Sequence, residues 1–221
     1  MVTSNSTPLT ITAQKQQISI RDLIELIAGF AGIMVILWLP THQQLIFGPI
    51  ALLVPLLLVL LRRPSLNELG LGVRGFVSSL WILPAAVALM VASVLLARKI
   101  ATFHPLYNAD LAHVYGYVLW TMYQQFLLQD FFMSRLTTLL TRDRAIAVAA
   151  LLFAIAHVPN LALVAATLLW GAVSCALFQR YRNLYVLGLA QGLLGLCFAV
   201  CVPDALHHHM RVGLGYFHYH S

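Results

Sequence analysis

The sequence predicts an all-α protein, a polytopic membrane helix bundle of about seven transmembrane helices. Three observations predict this fold class. Of the 221 residues, 61% are hydrophobic and only 9% are charged, whereas a soluble domain carries about 25% charged residues. The apolar residues form separate runs, and the basic residues lie mostly in pairs between those runs. Such a chain cannot cover the surface of a soluble globule, so most of its surface must face lipid.

The apolar runs have the lengths that membrane helices require. Crossing about 30 Å of hydrocarbon takes roughly 20 apolar residues in a helix. The fifth run is short because Val158-Pro159-Asn160 breaks it. We expect a transmembrane domain over 21–203, a disordered cytoplasmic tail over 1–20 and an aromatic and histidine-rich tail over 204–221. The seven runs are 23–39, 46–61, 75–97, 111–140, 145–158, 161–179 and 184–202.

The basic residues predict the orientation. A net charge of +6 would suit a nucleic-acid partner in a soluble protein, but basic pairs beside apolar runs are typical of membrane-edge anchors. With the N-terminus inside and seven crossings, ten of the thirteen Lys and Arg residues face the cytoplasm, and only Arg98, Lys99 and Arg211 face outward. The sequence therefore predicts a multi-pass protein of the cell membrane, surrounded by the lipid bilayer, with its N-terminus in the cytoplasm and no nucleic-acid partner.

Polar side chains cluster on the fourth apolar run. In hydrocarbon a polar side chain is costly unless it meets a partner or a water-filled cavity. A spacing of four residues places these side chains on one slowly drifting stripe of a helix. The stripe is either a seam of hydrogen bonds between helices or the lining of a functional cavity. Its members are His113, Tyr117, Thr121, Gln125 and Gln129, with Gln124 beside them.

Two ionisable residues, Asp130 and His157, are further candidates. Asp130 is the only carboxylate in the apolar parts of the last four runs. Arg135 lies five residues on, which is a poor helical contact, so each side chain would reach the interface or another helix. His157 carries the side chain best suited to proton transfer or metal binding near neutral pH.

The last apolar run and the tail contain the remaining polar residues of interest. Gln191 lies between Gly188 and Gly192, whose spacing of four allows two helices to approach closely. The histidines at 207–209 cannot all bind one metal from a regular helix, and no cysteine or carboxylate cluster accompanies them. The tail is typical of an interfacial aromatic belt. We expect no metal and no other cofactor.

Three motifs follow one another in the second half of the chain, and their order resembles a known family. Gln124-Gln125-Phe-Leu-Leu-Gln129, Phe153 to His157 and Gln191-Gly-Leu-Leu-Gly195 stand at 124–129, 153–157 and 191–195. They resemble the Glu-Glu-x-x-x-Arg, Phe-x-x-x-His and His-x-x-x-Asn or Asp motifs of the CPBP family of intramembrane proteins. That family includes the CAAX prenyl endopeptidases and Abi-like proteins. The resemblance covers about 117–202, and the second motif alone is intact.

The resemblance implies roles for these residues. In the family, the paired glutamates and the histidine of the second motif are thought to activate a water that attacks a peptide bond, and the third motif stabilises the oxyanion. Here His157 would act as the base, and Gln124, Gln125 and Gln191 would position the water or the oxyanion. Substrate-binding or structural roles would fall to Gln129, Phe153, Asn160, Asp130 and Gly195. We expect His157 and Gln125 to face a common polar cavity.

The glutamines leave two hypotheses open. A carboxamide cannot hold a proton, and loss of a general base removes a factor of roughly 10² to 10⁴ in rate. The first hypothesis is an intramembrane endopeptidase that cleaves membrane-associated peptides by CAAX-type processing, with His157 as its base. The second is a non-catalytic, protease-like membrane protein that binds a peptide or protein partner in the same cavity.

The basic-residue asymmetry yields a topological prediction. A reporter fused after Ser221 should lie outside the cytoplasm, because seven crossings from a cytoplasmic N-terminus end there. Alkaline phosphatase and green fluorescent protein fusions at this position measure the location with opposite signals. A fluorescent fusion without phosphatase activity would mean that the number of crossings is even.

Overall fold

The helices of the structure follow the predicted apolar runs. The computed structural model describes residues 8–106 and 110–218, and no strand occurs in this part of the chain. A π-helical segment, Leu127–Met133, follows α5. The all-α prediction is confirmed. The helices are α1 (Pro8–Leu37), α2 (Thr41–Leu60), α3 (Val73–Ser79), α4 (Ile82–Lys99), α5 (Leu111–Phe126), α6 (Ser134–Leu139), α7 (Arg142–Ile155), α8 (Leu161–Tyr181) and α9 (Leu184–Cys201).

Four helical stretches are long and apolar enough to cross a membrane. They are Thr41–Leu60, Gly75–Lys99, Leu161–Tyr181 and Leu184–Cys201. Only 11% of the most apolar part of the first is buried inside the protein, so most of that helix is left for lipid to cover. A membrane setting is thus supported, while the count of seven crossings stays a prediction.

The first helix extends further toward the N-terminus than the first apolar run does. It begins at Pro8, inside the segment 1–20 for which the sequence predicts a tail. Residues 1–7 lie outside the described part of the chain, as do the side chains up to residue 18. The domain boundary after residue 20 therefore stays a prediction.

Helix α9 is the central packing element. It packs against both α4 and α5, while α7 packs along α8. A Cβ atom built on Gly188 would lie 2.7 Å from Met122 Cγ, so only a glycine permits this approach of α5. Thr121 Oγ1 donates a hydrogen bond to Gly188 O at 3.0 Å. The predicted close contact at the Gly188–Gly192 pair is confirmed.

Side-chain caps set the starts of three helices. Asn160 and Asn183 accept hydrogen bonds from the backbone N–H groups three residues later, at 3.1 and 2.9 Å. Asp110 caps α5 in the same way through His113 N at 3.0 Å, and this bond lowers the pKa of the carboxyl group. Each side chain satisfies a backbone donor that the first helical turn leaves unpaired.

A buried network of charged side chains joins α1 to α6 and to the end of α2. Glu25 accepts hydrogen bonds from Arg135 Nε and Nη2 at 2.9 and 2.6 Å and from Arg62 Nη2 at 2.6 Å. Arg62 also binds Asp22 Oδ1 at 2.6 Å. Arg135 is fully buried. The expectation that Arg135 reaches another helix rather than the Asp130 carboxylate is confirmed, although its Nη1 also lies 3.4 Å from the backbone oxygen of Asp130.

The residues after α9 fold back over the end of the bundle. Short helices α10 (Asp204–His207) and α11 (Leu214–Phe217) flank a 3-10 turn. Asn160 Nδ2 donates to His207 O at 2.7 Å and to Arg211 O at 3.1 Å. His207 is only 1% exposed. Much of the predicted interfacial tail therefore packs as a cap, which we call the C-terminal cap (203–217); residues 219–221 lie outside the described part.

Removing the central carboxylate of the ion network should destabilise the protein. Glu25→Gln leaves Arg135 buried without its charged partner, and breaking a buried pair costs about 3–5 kcal/mol. Asp143→Asn is the matched control, because Asp143 is exposed in the first turn of α7. Thermal unfolding in detergent measures the difference. Equal unfolding temperatures for the two variants would contradict a stabilising role for the network.

Candidate functional site

A large cavity opens inside the helical bundle. Its volume is about 890 Å³, and α1, α2, α4, α5, α7, α8 and α9 all contribute to its wall. Most of the lining is apolar, with Phe30, Leu89 and Leu169 as examples. Polar side chains in the lining include Tyr117, Gln124, His157, Trp170 and Gln191, and Gln44, Ser93, Thr102 and Thr167 also line the cavity.

The glutamines of the first and third motifs form one continuous hydrogen-bond chain. Gln125 Nε2 donates to Gln191 Oε1 at 2.6 Å, and Gln191 Nε2 donates to Gln124 Oε1 at 2.5 Å. Gln129 Nε2 donates to Gln125 Oε1 at 3.0 Å. The four amides are therefore linked between α5, the π-helical segment and α9, while the buried Gln129 Oε1 has no partner among the described residues. We call them the amide network.

Helix α8 supplies two further partners for the amide network. Trp170 Nε1 donates to Gln191 Oε1 at 3.0 Å, so that oxygen accepts two bonds. Gln129 Nε2 also lies 3.5 Å from Ser174 Oγ. Sequence reasoning did not select Trp170, although an indole N–H in an apolar helix needs an acceptor when it is buried.

His157 lies in the turn after α7 and faces the cavity. Its Nδ1 atom donates to Phe153 O at 2.7 Å, which fixes the proton on Nδ1 and leaves a lone pair on Nε2. The ring of Phe153 contacts the imidazole edge to face, with centroids 5.1 Å apart. The described residues provide no hydrogen-bond partner for Nε2. This nitrogen is therefore free to accept a proton or a hydrogen bond.

The prediction that His157 and Gln125 face a common polar cavity is wrong. His157 lines the cavity, but Gln125 does not and is fully buried. Gln124 takes its place at the cavity wall. Consecutive helical residues point about 100° apart, so the two glutamines face different surroundings. The cavity is also mostly apolar rather than polar.

Tyr117 fills the space beside Gly195, where the family motif has Asn or Asp. A Cβ atom built on Gly195 would lie 1.9 Å from Tyr117 Oη, so no larger residue fits while this ring stays in place. Both residues line the cavity. The phenol therefore presents a hydroxyl group next to the third motif.

The remaining candidates have mainly structural surroundings. Asn160 is completely buried and anchors the C-terminal cap as described above. Asp130 is 7% exposed and does not line the cavity, and its Oδ2 has no partner among the described residues. The substrate-binding or structural role of Asp130 stays a prediction.

The cavity offers hydrogen-bond donors and one basic nitrogen but no carboxylate in the part of the chain that the structure describes. His157 and the thiols of Cys197 and Cys201 all line the cavity, but they do not form a close group of three metal ligands among the described residues, and a catalytic zinc has three protein ligands. The chemistry available is proton acceptance at His157 and hydrogen-bond donation from amides and a phenol.

Comparison with known families finds a match over most of the chain. The sequence profile of a family described as type II CAAX prenyl endopeptidase, Rce1-like, matches residues 26–197. No curated protein and no solved structure matches the chain. The matched range begins within α1 and ends within α9, so it includes the amide network and His157.

The amide network predicts that the same Gln→Glu substitution destabilises the protein by different amounts at positions 125 and 124. Gln125→Glu replaces the donor to Gln191 Oε1 by an acceptor, and an unsatisfied buried group costs about 1–3 kcal/mol. Gln124→Glu is the matched control, because Gln124 only accepts from Gln191. Thermal unfolding in detergent should show the larger loss for Gln125→Glu. A larger loss for Gln124→Glu would contradict the assigned donor directions.

Proposed function

The chain belongs to the Rce1-like family of type II CAAX prenyl endopeptidases, and we propose that its cavity binds the lipid-modified, apolar end of a membrane-associated peptide. One observation carries this proposal, namely a mostly apolar cavity of about 890 Å³ that His157, Gln124 and Gln191 line together. Ligand cavities of about 300–1,000 Å³ with few polar groups are typical of small-molecule sites.

The polar lining supplies the complement of a peptide group. Gln124 Nε2 has no hydrogen-bond partner among the described residues, because only the oxygen of this amide is engaged. It offers a donor to a peptide carbonyl. His157 Nε2 offers an acceptor to a peptide N–H. A peptide in hydrocarbon needs such partners, since each unsatisfied backbone group there costs several kcal/mol.

The apolar lining of the cavity contributes less to the selection of the lipid chain than the polar lining contributes to the selection of the peptide. A lipid chain leaves an environment as apolar as the cavity when it enters from the bilayer, so little hydrophobic free energy is gained. Affinity must then come from packing and from hydrogen bonds. Gln124 and His157 are therefore the residues whose loss should weaken binding most.

A second candidate function is hydrolysis of the bound peptide. The free lone pair of His157 Nε2 favours it. His157 would take a proton from a water as the water oxygen attacks the carbonyl carbon, and would return it to the leaving nitrogen as the C–N bond breaks. Gln124 or Tyr117 would donate to the oxyanion, as hydrogen-bond donors do in acyl transfer. The absent carboxylate base counts against rapid turnover.

Both candidate functions are tested by measuring the binding and the cleavage of the same two peptides. A fluorescent CAAX-type peptide is compared with and without its prenyl group, using purified protein in nanodiscs. Gln124→Met should weaken binding of the prenylated peptide about 2- to 12-fold, the equivalent of one hydrogen bond of about 0.5–1.5 kcal/mol. His42→Ala is the control, since His42 is exposed at the start of α2.

The outcomes separate the two candidates. Mass spectrometry of the same samples detects cleavage, and product that disappears in His157→Ala would favour hydrolysis. Binding without product would favour the non-catalytic function. Equal affinities for the prenylated and unprenylated peptides would refute the proposed ligand class.

A further inference from the structure

Three potential metal ligands meet at the end of the bundle where the loop after α4 contacts the C-terminal cap. They are His104, Asp204 and His207, and their ligand atoms all lie within 4.8 Å of one another. His104 lies in the loop, while the other two belong to α10. Sequence spacing could not reveal this cluster, because His104 is about one hundred residues from the others.

One carbonyl oxygen holds the two imidazoles toward each other. His104 Nε2 and His207 Nε2 donate to Val202 O at 2.8 and 2.9 Å. Asp204 Oδ1 lies 3.2 Å from His207 Nε2. The other carboxylate oxygen, Asp204 Oδ2, lies 3.2 Å from His209 Nε2. The two imidazole nitrogens and the carboxylate therefore converge on one point.

We propose that His104, Asp204 and His207 bind a divalent transition-metal ion, with Zn²⁺ as the reference ion. Zinc takes histidine nitrogens at about 2.0–2.1 Å and carboxylate oxygens at about 2.0–2.2 Å, in tetrahedral geometry. Tetrahedral ligands at those distances lie about 3.3–3.4 Å apart. The separation of His207 Nε2 from Asp204 Oδ1, 3.2 Å, is already close to this value, and all the ligand atoms lie within 4.8 Å of one another. A water or the Val202 carbonyl oxygen completes the set.

The site is accessible from outside the bundle. An open cleft beside it is lined by His104 and Asp204 together with Phe103 and Pro203. His207 does not line this cleft; its side chain is 1% exposed, and its Nε2 lies 3.2 Å from Oδ1 of the cleft residue Asp204. An ion therefore has an entry path and a buried ligand at the end of it, which a metal site requires.

Metal binding changes the turn that follows. His207 Nδ1 accepts a hydrogen bond from Met210 N at 3.1 Å. A neutral imidazole that binds metal through Nε2 carries its proton on Nδ1, so Met210 N loses this acceptor. Residues 208, 209 and 210 all have positive φ, at 47°, 50° and 60°, a conformation that L-residues adopt reluctantly. The turn is therefore able to rearrange when the ion binds.

The rearranged turn is part of the cavity wall. Met210 and Val212 of the C-terminal cap line the cavity, and Gly213 N donates to Val158 O at 2.9 Å. An ion that joins the α4–α5 loop to this cap would fix one end of the cavity. This inference does not depend on the proposed function, because it concerns residues outside the amide network.

Zinc titration of the full chain tests the site. The protein carries no histidine tag, is kept in detergent and is titrated with Zn²⁺ alone. Equilibrium dialysis gives the stoichiometry and the affinity of Zn²⁺ binding. Thermal unfolding gives the stabilisation of the protein by the ion. One ion per chain and a raised unfolding temperature are expected. His104→Ala and Asp204→Asn should each weaken binding at least about 10- to 100-fold, the loss typical of outer-shell partners.

Two controls keep the result specific. His42→Ala removes an exposed histidine at the start of α2, and His113→Ala removes another exposed histidine at the start of α5. Both should bind Zn²⁺ within twofold of the unmodified chain. Asp204→Asn keeps the size of the side chain, so it remains informative if His104→Ala fails to fold. Unchanged affinity in both cluster variants, or no binding by the unmodified chain, would overturn the proposal.

Discussion

The absence of water from hydrocarbon is the constraint on which the site depends. Every buried amide needs partners inside the protein. The amide network supplies most of them by linking side chains of different helices, although Gln129 Oε1 has no partner among the described residues. Gln191 has the central position, since it bonds to Gln124, Gln125 and Trp170. Helices α5, α8 and α9 are therefore held in one relative position by polar contacts as well as by the close approach at Gly188. The cavity beside them keeps its shape for the same reason.

The sequence predicted the helices well because their signals are local. Apolar runs, the breaker at Val158-Pro159 and the spacing of Gly188 and Gly192 act over a few residues. The ion network had no such signal, since Glu25 and Arg135 are separated by 110 positions. The C-terminal cap was missed for a related reason. Its anchor is the amide of Asn160, whose backbone partners no side-chain pattern identifies.

The sequence identified several residues that line one cavity, but it did not identify which way each side chain points. Gln124, His157 and Gln191 do line one cavity. A drifting stripe, however, cannot tell which of two adjacent glutamines faces the cavity, because about 100° of rotation separates them. The partner of Gln125 lies on α9, and only the packing of α5 against α9 determines that this side chain turns inward.

The differences from the family motifs are coupled to one another. A carboxylate at Gln125 would oppose the oxygen of Gln191, which already accepts from Trp170. A larger residue at Gly195 would displace Tyr117. These two changes toward the family pattern thus each disturb a partner that fits the present residue. Among the described cavity residues, Gln124 Nε2 then stays available as a donor and His157 Nε2 as an acceptor, the complement of a peptide C=O and a peptide N–H.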